Sequence, residues 1–338
     1  MKNKYINFIQ DYFKIKKHIL LNSKKPFQCL FAVTHNCNSR CIMCNFWKNK
    51  SKNELTLEEI KKLFSSKLMR SARVTISGGE TLLRPDIGEI IQTIYDSTGS
   101  RVGLGTNGLL PDKLDKLLKE KKDLISVVSV SIDGLEKFHD KIRGIPGAFK
   151  LANKSIKIIE KHGIRPNICM TITNKNYDEL KKVFDYYKNK NFDFKVAQTS
   201  ECYFGTNIEG NFMLNDKQKK HIISQIKKLP KSVNKLYNIF LEDWIKGSKR
   251  PKCHAGKYEI YIDAHGNIQP CIHKEKFGNI RKKNINDIWF SKGAEKFRLF
   301  VPNCKDCYER CTVSEFKVHP LRWRLTAIIK QISSKFSD

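Results

Sequence analysis

Three cysteines at Cys37-x3-Cys41-x2-Cys44 stand on one short stretch of chain. Three neighbouring thiolates can bind three corners of an iron–sulfur cube and leave the fourth iron without a protein ligand. An open coordination position is what separates a catalytic metal centre from a structural one. By spacing alone, a zinc site with a distant fourth ligand is the other reading. A second group, Cys253, Cys271, Cys304, Cys307 and Cys311, is dense enough to imply metal, again either zinc or iron–sulfur. The chain has 11 cysteines, an odd count that argues against a disulfide framework. Cys29, Cys169 and Cys202 are scattered and read as ordinary small buried residues.

The elements that must hold these groups alternate. Short β-branched runs begin at Gln28–Val33, Arg73–Ser77, Arg101–Gly105, Ile125–Ser131, Asn167–Thr173 and Phe192–Val196, with helical segments between them. That order predicts repeated βα units around a parallel sheet. Thr56 and Glu59 form a capping box before one helix, Pro85 and Asp86 open the next, and further helices are expected near Ala148–Lys161 and Tyr177–Tyr187. Tyr258–Asp263 and Ile268–Ile272 flank Ala264-His265-Gly266-Asn267, a β-hairpin pattern. Both termini carry basic amphipathic helical spacing: Ile6, Ile9 and Phe13 at one end, Leu325, Ile328, Ile329, Ile332 and Phe336 at the other.

Several motifs fall at the strand ends, where a βα barrel builds its active site. Gly78-Gly79-Glu80 follows the second strand, Thr106-Asn107-Gly108 the third, and Ser129, Ser131 and Asp133 share one face of the fourth and its exit. Arg143 follows in Ile142-Arg143-Gly144. With the cysteine spacing, these residues resemble the radical S-adenosylmethionine (radical SAM) superfamily over about residues 28–200. The resemblance implies a partial (βα)6 barrel, an α/β fold, followed by a small cysteine-rich hairpin domain. It implies a 4Fe-4S cluster on Cys37, Cys41 and Cys44, whose open iron chelates S-adenosylmethionine and cleaves it to a 5′-deoxyadenosyl radical that abstracts a substrate hydrogen. Gly78, Gly79 and Glu80 would receive the methionine ammonium. Thr106 and Asn107 would line the site, and Ser129, Ser131 and Asp133 would contact the ribose and methionine end. Arg143 would pair with the carboxylate, for which a guanidinium fork is suited. Where the family usually has an aromatic residue against the adenine, this chain has Met43, whose thioether can pack on a ring face.

The C-terminal cysteines resemble the auxiliary-cluster extensions called SPASM and twitch domains. The full SPASM set of seven cysteines is absent, so one auxiliary 4Fe-4S cluster is expected, with Cys253 and Cys271 as the firmest ligands. Cys304 and Cys307 are expected to complete it, and Cys311 is the expected spare, with its displacement of Cys304 as the alternative. The expected organisation is an N-terminal helix at 1–26, the barrel at 27–214, a helical linker at 215–252, the auxiliary domain at 253–315 and a C-terminal helix at 316–338.

Charge bears on the substrate. Sixty-four Lys and Arg against 34 Asp and Glu give a formal charge of +30. That balance favours an anionic partner, or reflects lysines on solvated helix faces. The terminal helices, with Trp323 between Arg322 and Arg324, lead to the first expectation: a membrane-associated, lipid- or glycan-linked substrate. The alternative is a SPASM-type peptide- or protein-modifying maturase, although residues 1–27 are too few for a separate leader-peptide-binding domain. RNA modification ranks below both, since no RNA-binding module accompanies the core, and nucleic acid is not an expected partner. A non-enzymatic zinc or iron–sulfur protein would need none of the strand-end motifs. The enzyme reading also implies a reductant such as flavodoxin or ferredoxin. No apolar run approaches a membrane span, and Lys14, Lys16, Lys17 and His18 exclude a secretory signal. The expected location is the cytoplasm, with peripheral contact at the inner face of the membrane left open.

Overall fold

Six parallel strands form because six β-branched segments are each flanked by helices that cover one face of the sheet. A computed structural model describes residues 25–48, 51–70, 72–197, 211–230, 253 and 255–304. The strands are β1 (Gln28–Thr34), β2 (Arg73–Gly78), β3 (Val102–Thr106), β4 (Ile125–Ser131), β5 (Asn167–Ile172) and β6 (Asn191–Val196). Each pairs in parallel with its sequence neighbour. Every strand lies within a residue or two of its predicted bounds.

The intervening helices bury one stripe each. Helix α1 (Leu57–Phe64) starts at Thr56, whose side chain accepts from Glu59 N while the Glu59 carboxylate accepts from Thr56 N. This is the predicted capping box, a reciprocal pairing that satisfies two otherwise unpaired N–H groups. Helix α2 (Ile87–Thr98) buries Ile87, Ile90, Ile91 and Ile94, the i, i+3, i+4, i+7 set of one helical face. Each such isoleucine contributes roughly 1.5–3 kcal/mol when fully buried. Helices α3 (Pro111–Lys121) and α4 (Glu136–Arg143) were expected only as helical segments between strands, without bounds; α5 (Ala148–Lys161) and α6 (Leu180–Tyr186) were placed. Helix α7 (Asp216–Lys227) falls in the expected linker.

The hairpin does not stand apart from the barrel sheet. Strand β7 (Glu259–Ile262) pairs in parallel with β1, Gln28 opposite Glu259 through Phe31 opposite Ile262. Strands β8 (Asn267–Gln269) and β9 (Gly278–Asn279) continue antiparallel, giving one nine-stranded order β6-β5-β4-β3-β2-β1-β7-β8-β9. Arg281 ties this edge to the start of α1. Its guanidinium donates to both Glu59 carboxylate oxygens at 2.6 and 2.8 Å, and to the Asn53 and Glu54 carbonyls. Helices α8 (Ile285–Trp289) and α9 (Lys292–Phe300) complete the described chain.

Both terminal amphipathic segments lie outside the described residues, as do Cys202, His254, Cys307, Cys311 and Trp323. Among the described residues no helix is long and apolar enough to cross a membrane.

Candidate functional site

A cavity of about 240 Å³ opens at the C-terminal ends of the parallel strands. Cys37, Cys41, Met43 and Cys44 line it from the loop after β1. Gly78 and Gly79 after β2, Thr106 and Asn107 at the end of β3, Ser131 on β4 and Arg143 at the end of α4 also line it. Of the S-adenosylmethionine contacts expected from the sequence, Glu80, Ser129 and Asp133 are not in the lining.

Glu80 lies beneath the site. It is fully buried and its carboxylate accepts three hydrogen bonds: from Thr106 Oγ1 at 2.7 Å, Asn107 N at 2.7 Å and Leu82 N at 3.2 Å. It therefore braces the β2 and β3 turns against each other, although burial pushes its pKa up. Ser129 sits deeper on β4 and accepts from Asn167 Nδ2 at 3.1 Å. Asp133 is also fully buried. Its Oδ1 accepts from Thr171 N at 2.8 Å, and its Oδ2 is 2.6 Å from the Arg143 guanidinium.

Arg143 links two parts of the site. One nitrogen pairs with Asp133 and another points at Cys41 Sγ, 3.6 Å away. Burial works against its charge, but the Asp133 carboxylate and the Cys41 thiol outweigh burial and hold its pKa above the usual value. The α4 helix that carries Arg143 also anchors the cysteine loop. Its last carbonyls accept backbone bonds from that loop, Arg40 N to Arg143 O at 2.9 Å and Ile42 N to Ile142 O at 3.1 Å. These are carbonyls that a helix end otherwise leaves unpaired.

The glycines of the β2 turn face that same loop. A Cβ on Gly78 would lie 2.2 Å from the Thr34 carbonyl oxygen, and one on Gly79 2.1 Å from that of Asn36. Close backbone approach is thus required by the cysteine loop itself. Gly79 N donates to Thr34 O and Glu80 N to Asn36 O, both at 2.8 Å.

The residues fit an iron–sulfur cluster. The surroundings of the sulfurs offer hydrogen-bond donors: the Ser39 hydroxyl is 3.0 Å from Cys41 Sγ, Asn107 Nδ2 is 3.9 Å from Cys37 Sγ, and Arg143 approaches Cys41. Donors of this kind stabilise thiolate ligands. Burial pushes the uncomplexed Cys37 thiol up to about 12 and raises Cys44 as well. Metal binding here must displace protons. In the auxiliary region Cys253 and Cys271, both buried, gather with Cys304 around Ala255 and Val301.

Lining residues that sequence reasoning missed include Ser77, Thr171, Lys195, Phe212 and His273. Strand pairing makes two of them, Thr171 and Lys195, legible. Thr171 pairs with Lys195 across β5 and β6, and both share the inward alternation of Ser131. Phe212 and His273 come from segments whose approach to the cavity has no local sequence signal.

Residues 31–187 match the Radical SAM superfamily and residues 253–308 match the SPASM iron–sulfur cluster-binding domain. The chain is 27% identical over 303 residues to the sporulation killing factor maturation protein SkfB of Bacillus subtilis, covering 87% of this chain and 72% of that protein. It is 26% identical over 320 residues to the AdoMet-dependent heme synthase of Methanosarcina barkeri, covering 86% and 89%. Its fold resembles the solved structure of native anSMEcpe with bound AdoMet and Cp18Cys peptide, with a TM-score of 0.62 at 16% identity over 89% and 99% of the two chains. The chain belongs to the radical SAM superfamily, as an enzyme with a radical SAM 4Fe-4S cluster and a SPASM auxiliary cluster.

Proposed function

We propose that this enzyme modifies a peptide or protein, abstracting a hydrogen atom from one of its residues. The observation that carries the reading is the similarity to the maturation protein SkfB, which extends across both the barrel and the auxiliary region. It favours the peptide alternative over the lipid- or glycan-linked substrate expected first. The cluster and S-adenosylmethionine, when bound, supply the 5′-deoxyadenosyl radical. Cys37, Cys41 and Cys44 hold the cluster. Arg143, fixed by Asp133, orients the methionine carboxylate, and the Thr106-Asn107 turn braced by Glu80 lines the opposite side. Met43 lies against the adenine. Ser131, Thr171 and Lys195 face the lumen and orient the substrate. Cys253, Cys271 and Cys304, with Cys307, ligate the auxiliary cluster, and Cys311 is the spare.

The test is anaerobic turnover of the reconstituted, dithionite-reduced protein with S-adenosylmethionine and a panel of deuterated peptides, with a porphyrin as the competing substrate. The expected result is deuterium transfer from one peptide into 5′-deoxyadenosine, with a matching change in that peptide's mass. Turnover stimulated by the porphyrin and by none of the peptides would reject the reading.

A further inference from the structure

Where the chain leaves β1, His35 meets the turn of the β7–β8 hairpin. Its ring stands edge-on to that of His265, with centroids 5.0 Å apart. One donor atom from each of His35, Asp263 and His265 lies within 4.8 Å of the others. His35 stands more than 200 residues before Asp263 and His265 in the sequence and is brought to them by the parallel pairing of β1 with β7.

The hydrogen bonds around the trio leave metal-binding capacity unused. His35 Nε2 is buried and has no hydrogen-bond partner, an arrangement that native interiors avoid unless a ligand satisfies it. His265 Nε2 is 3.1 Å from the Lys52 carbonyl oxygen, which can only accept, and 3.2 Å from the Ser51 hydroxyl, which can also accept; with Nε2 as the donor to them, Nδ1 keeps its lone pair. Metal-binding imidazoles are usually held this way, with the second nitrogen donating to a backbone carbonyl or carboxylate. Asp263 is buried. Its carboxylate accepts only from neutral donors: His265 N and Asn267 N on Oδ1, each at 2.9 Å, and Asn267 Nδ2 on Oδ2 at 2.7 Å. Among the described residues no Lys or Arg forms an ion pair with it. Each oxygen retains capacity for a cation.

We propose that His35, Asp263 and His265 bind a divalent transition-metal ion, of the zinc class, that fastens the β7–β8 turn to the chain leading into Cys37. Two imidazoles and one carboxylate suit a borderline cation of this kind, with water completing the shell. Ligand distances near 2.0 Å in a tetrahedral site place donors about 3.3 Å apart, a spacing that small side-chain movements reach from donors already within 4.8 Å of one another. The site is separate from both cysteine groups and contains no sulfur. It does not depend on the peptide reading.

The probe is Zn²⁺ added in one equivalent to the cluster-loaded protein, followed by gel filtration, metal analysis and zinc K-edge X-ray absorption. The expected result is about one zinc per chain, with a shell of N and O near 2.0 Å and outer scattering from two imidazoles. His265→Gln and His35→Gln are each expected to weaken zinc binding at least tenfold, and His221→Gln on α7 to leave it unchanged. The thermal midpoint should rise with zinc in the parent and not in the first two variants. Sulfur in the zinc shell near 2.3 Å, no stoichiometric zinc, or unchanged binding in both variants would overturn the proposal. The parent spectrum decides the question on its own should a variant fail to fold.

Discussion

Gly79→Ala should dislodge the cysteine loop without touching a cysteine. The added Cβ would lie 2.1 Å from the Asn36 carbonyl oxygen, 2.6 Å from its carbon and 2.8 Å from the His35 carbonyl oxygen. These are backbone atoms and cannot swing aside as the end of a lysine can. Relief requires the Asn36 carbonyl to retreat to at least 3.0 Å, and Cys37 is the next residue. The same movement stretches the Gly79 N–Thr34 O and Glu80 N–Asn36 O bonds, both 2.8 Å. Overpacking of this kind costs about 1–3 kcal/mol and each lost hydrogen bond about 1 kcal/mol. With both bonds lost the sum is about 3–5 kcal/mol. Iron and sulfide content per chain, the EPR spectrum of the reduced protein with and without S-adenosylmethionine, and the melting midpoint measure it. We expect lower iron occupancy, an altered spectrum and a lower midpoint. Gly293→Ala is the control: nothing lies within 4 Å of its Cβ position on α9, so it should be neutral or stabilise by about 0.5–1 kcal/mol. If Gly79→Ala keeps parental iron, spectrum and midpoint, the steric argument for this turn is wrong.

Three other substitutions probe the frame. Arg143→Lys removes the fork that spans Asp133 and Cys41, and should weaken S-adenosylmethionine binding about tenfold or more, about 1.4 kcal/mol, while iron content stays at the parental level. Arg281→Met should lower stability by about 1–2 kcal/mol in denaturant melts, modest because the Glu59 pair is partly exposed. The bond to Arg281 holds Glu59 down at about 2, so the pair's contribution is present above the ordinary carboxylate value of 4.5 and is lost as pH falls towards 2. Melts of Arg281→Met should lack that component. His139 accepts from Asp133 N through Nδ1, and burial, with Arg143 second, pushes its pKa down to about 3. Its unfolded form takes up a proton near 6.5 and its folded form does not, so it costs the parent up to about 1.4 kcal/mol of stability per pH unit as pH falls below 6.5. His139→Gln, which keeps an acceptor and cannot titrate, should flatten that slope.

The sequence was most informative where structure is local. Strands could be read because β-branched residues alternate with small polar ones, as in Ile125–Ser131, and the Thr56–Glu59 cap because its geometry spans one turn. Two helices could not be given bounds, for opposite reasons. Pro111–Lys121 is so rich in lysine that its apolar stripe of Leu114, Leu117 and Leu118 is diluted. Glu136–Arg143 buries only His139 and Ile142, and His139 does not register as apolar. The addition of β7 to β1 has no local signature, because the register of Gln28 against Glu259 is set by pairing across most of the chain. The deep placement of Glu80 was hidden for a related reason. A motif shows that a carboxylate is present, and only the packed turns show that its oxygens are already taken by Thr106, Asn107 and Leu82.

That hidden layer explains how a loop of three cysteines keeps its shape. Between Thr34 and Phe46 the chain has no regular secondary structure, so backbone polar groups that it does not pair within itself, as Cys44 N pairs with Cys41 O, need partners from outside. The β2 turn donates to the Thr34 and Asn36 carbonyls. The end of α4 accepts from Arg40 and Ile42, and a Cβ on Gly144 would lie 2.4 Å from the Arg40 carbonyl oxygen. Arg84 donates to Val33 O, Glu54 accepts from His35 N, and Trp47 Nε1 donates to Cys41 O. Each support comes from a different element, and two of them, the β2 turn and α4, also carry lining residues of the cavity. A displacement of the cysteines therefore displaces Gly79 or Arg143 with them. The loop that holds the metal and the groups that face its open side act as one body, which is the condition for holding reacting groups in fixed register.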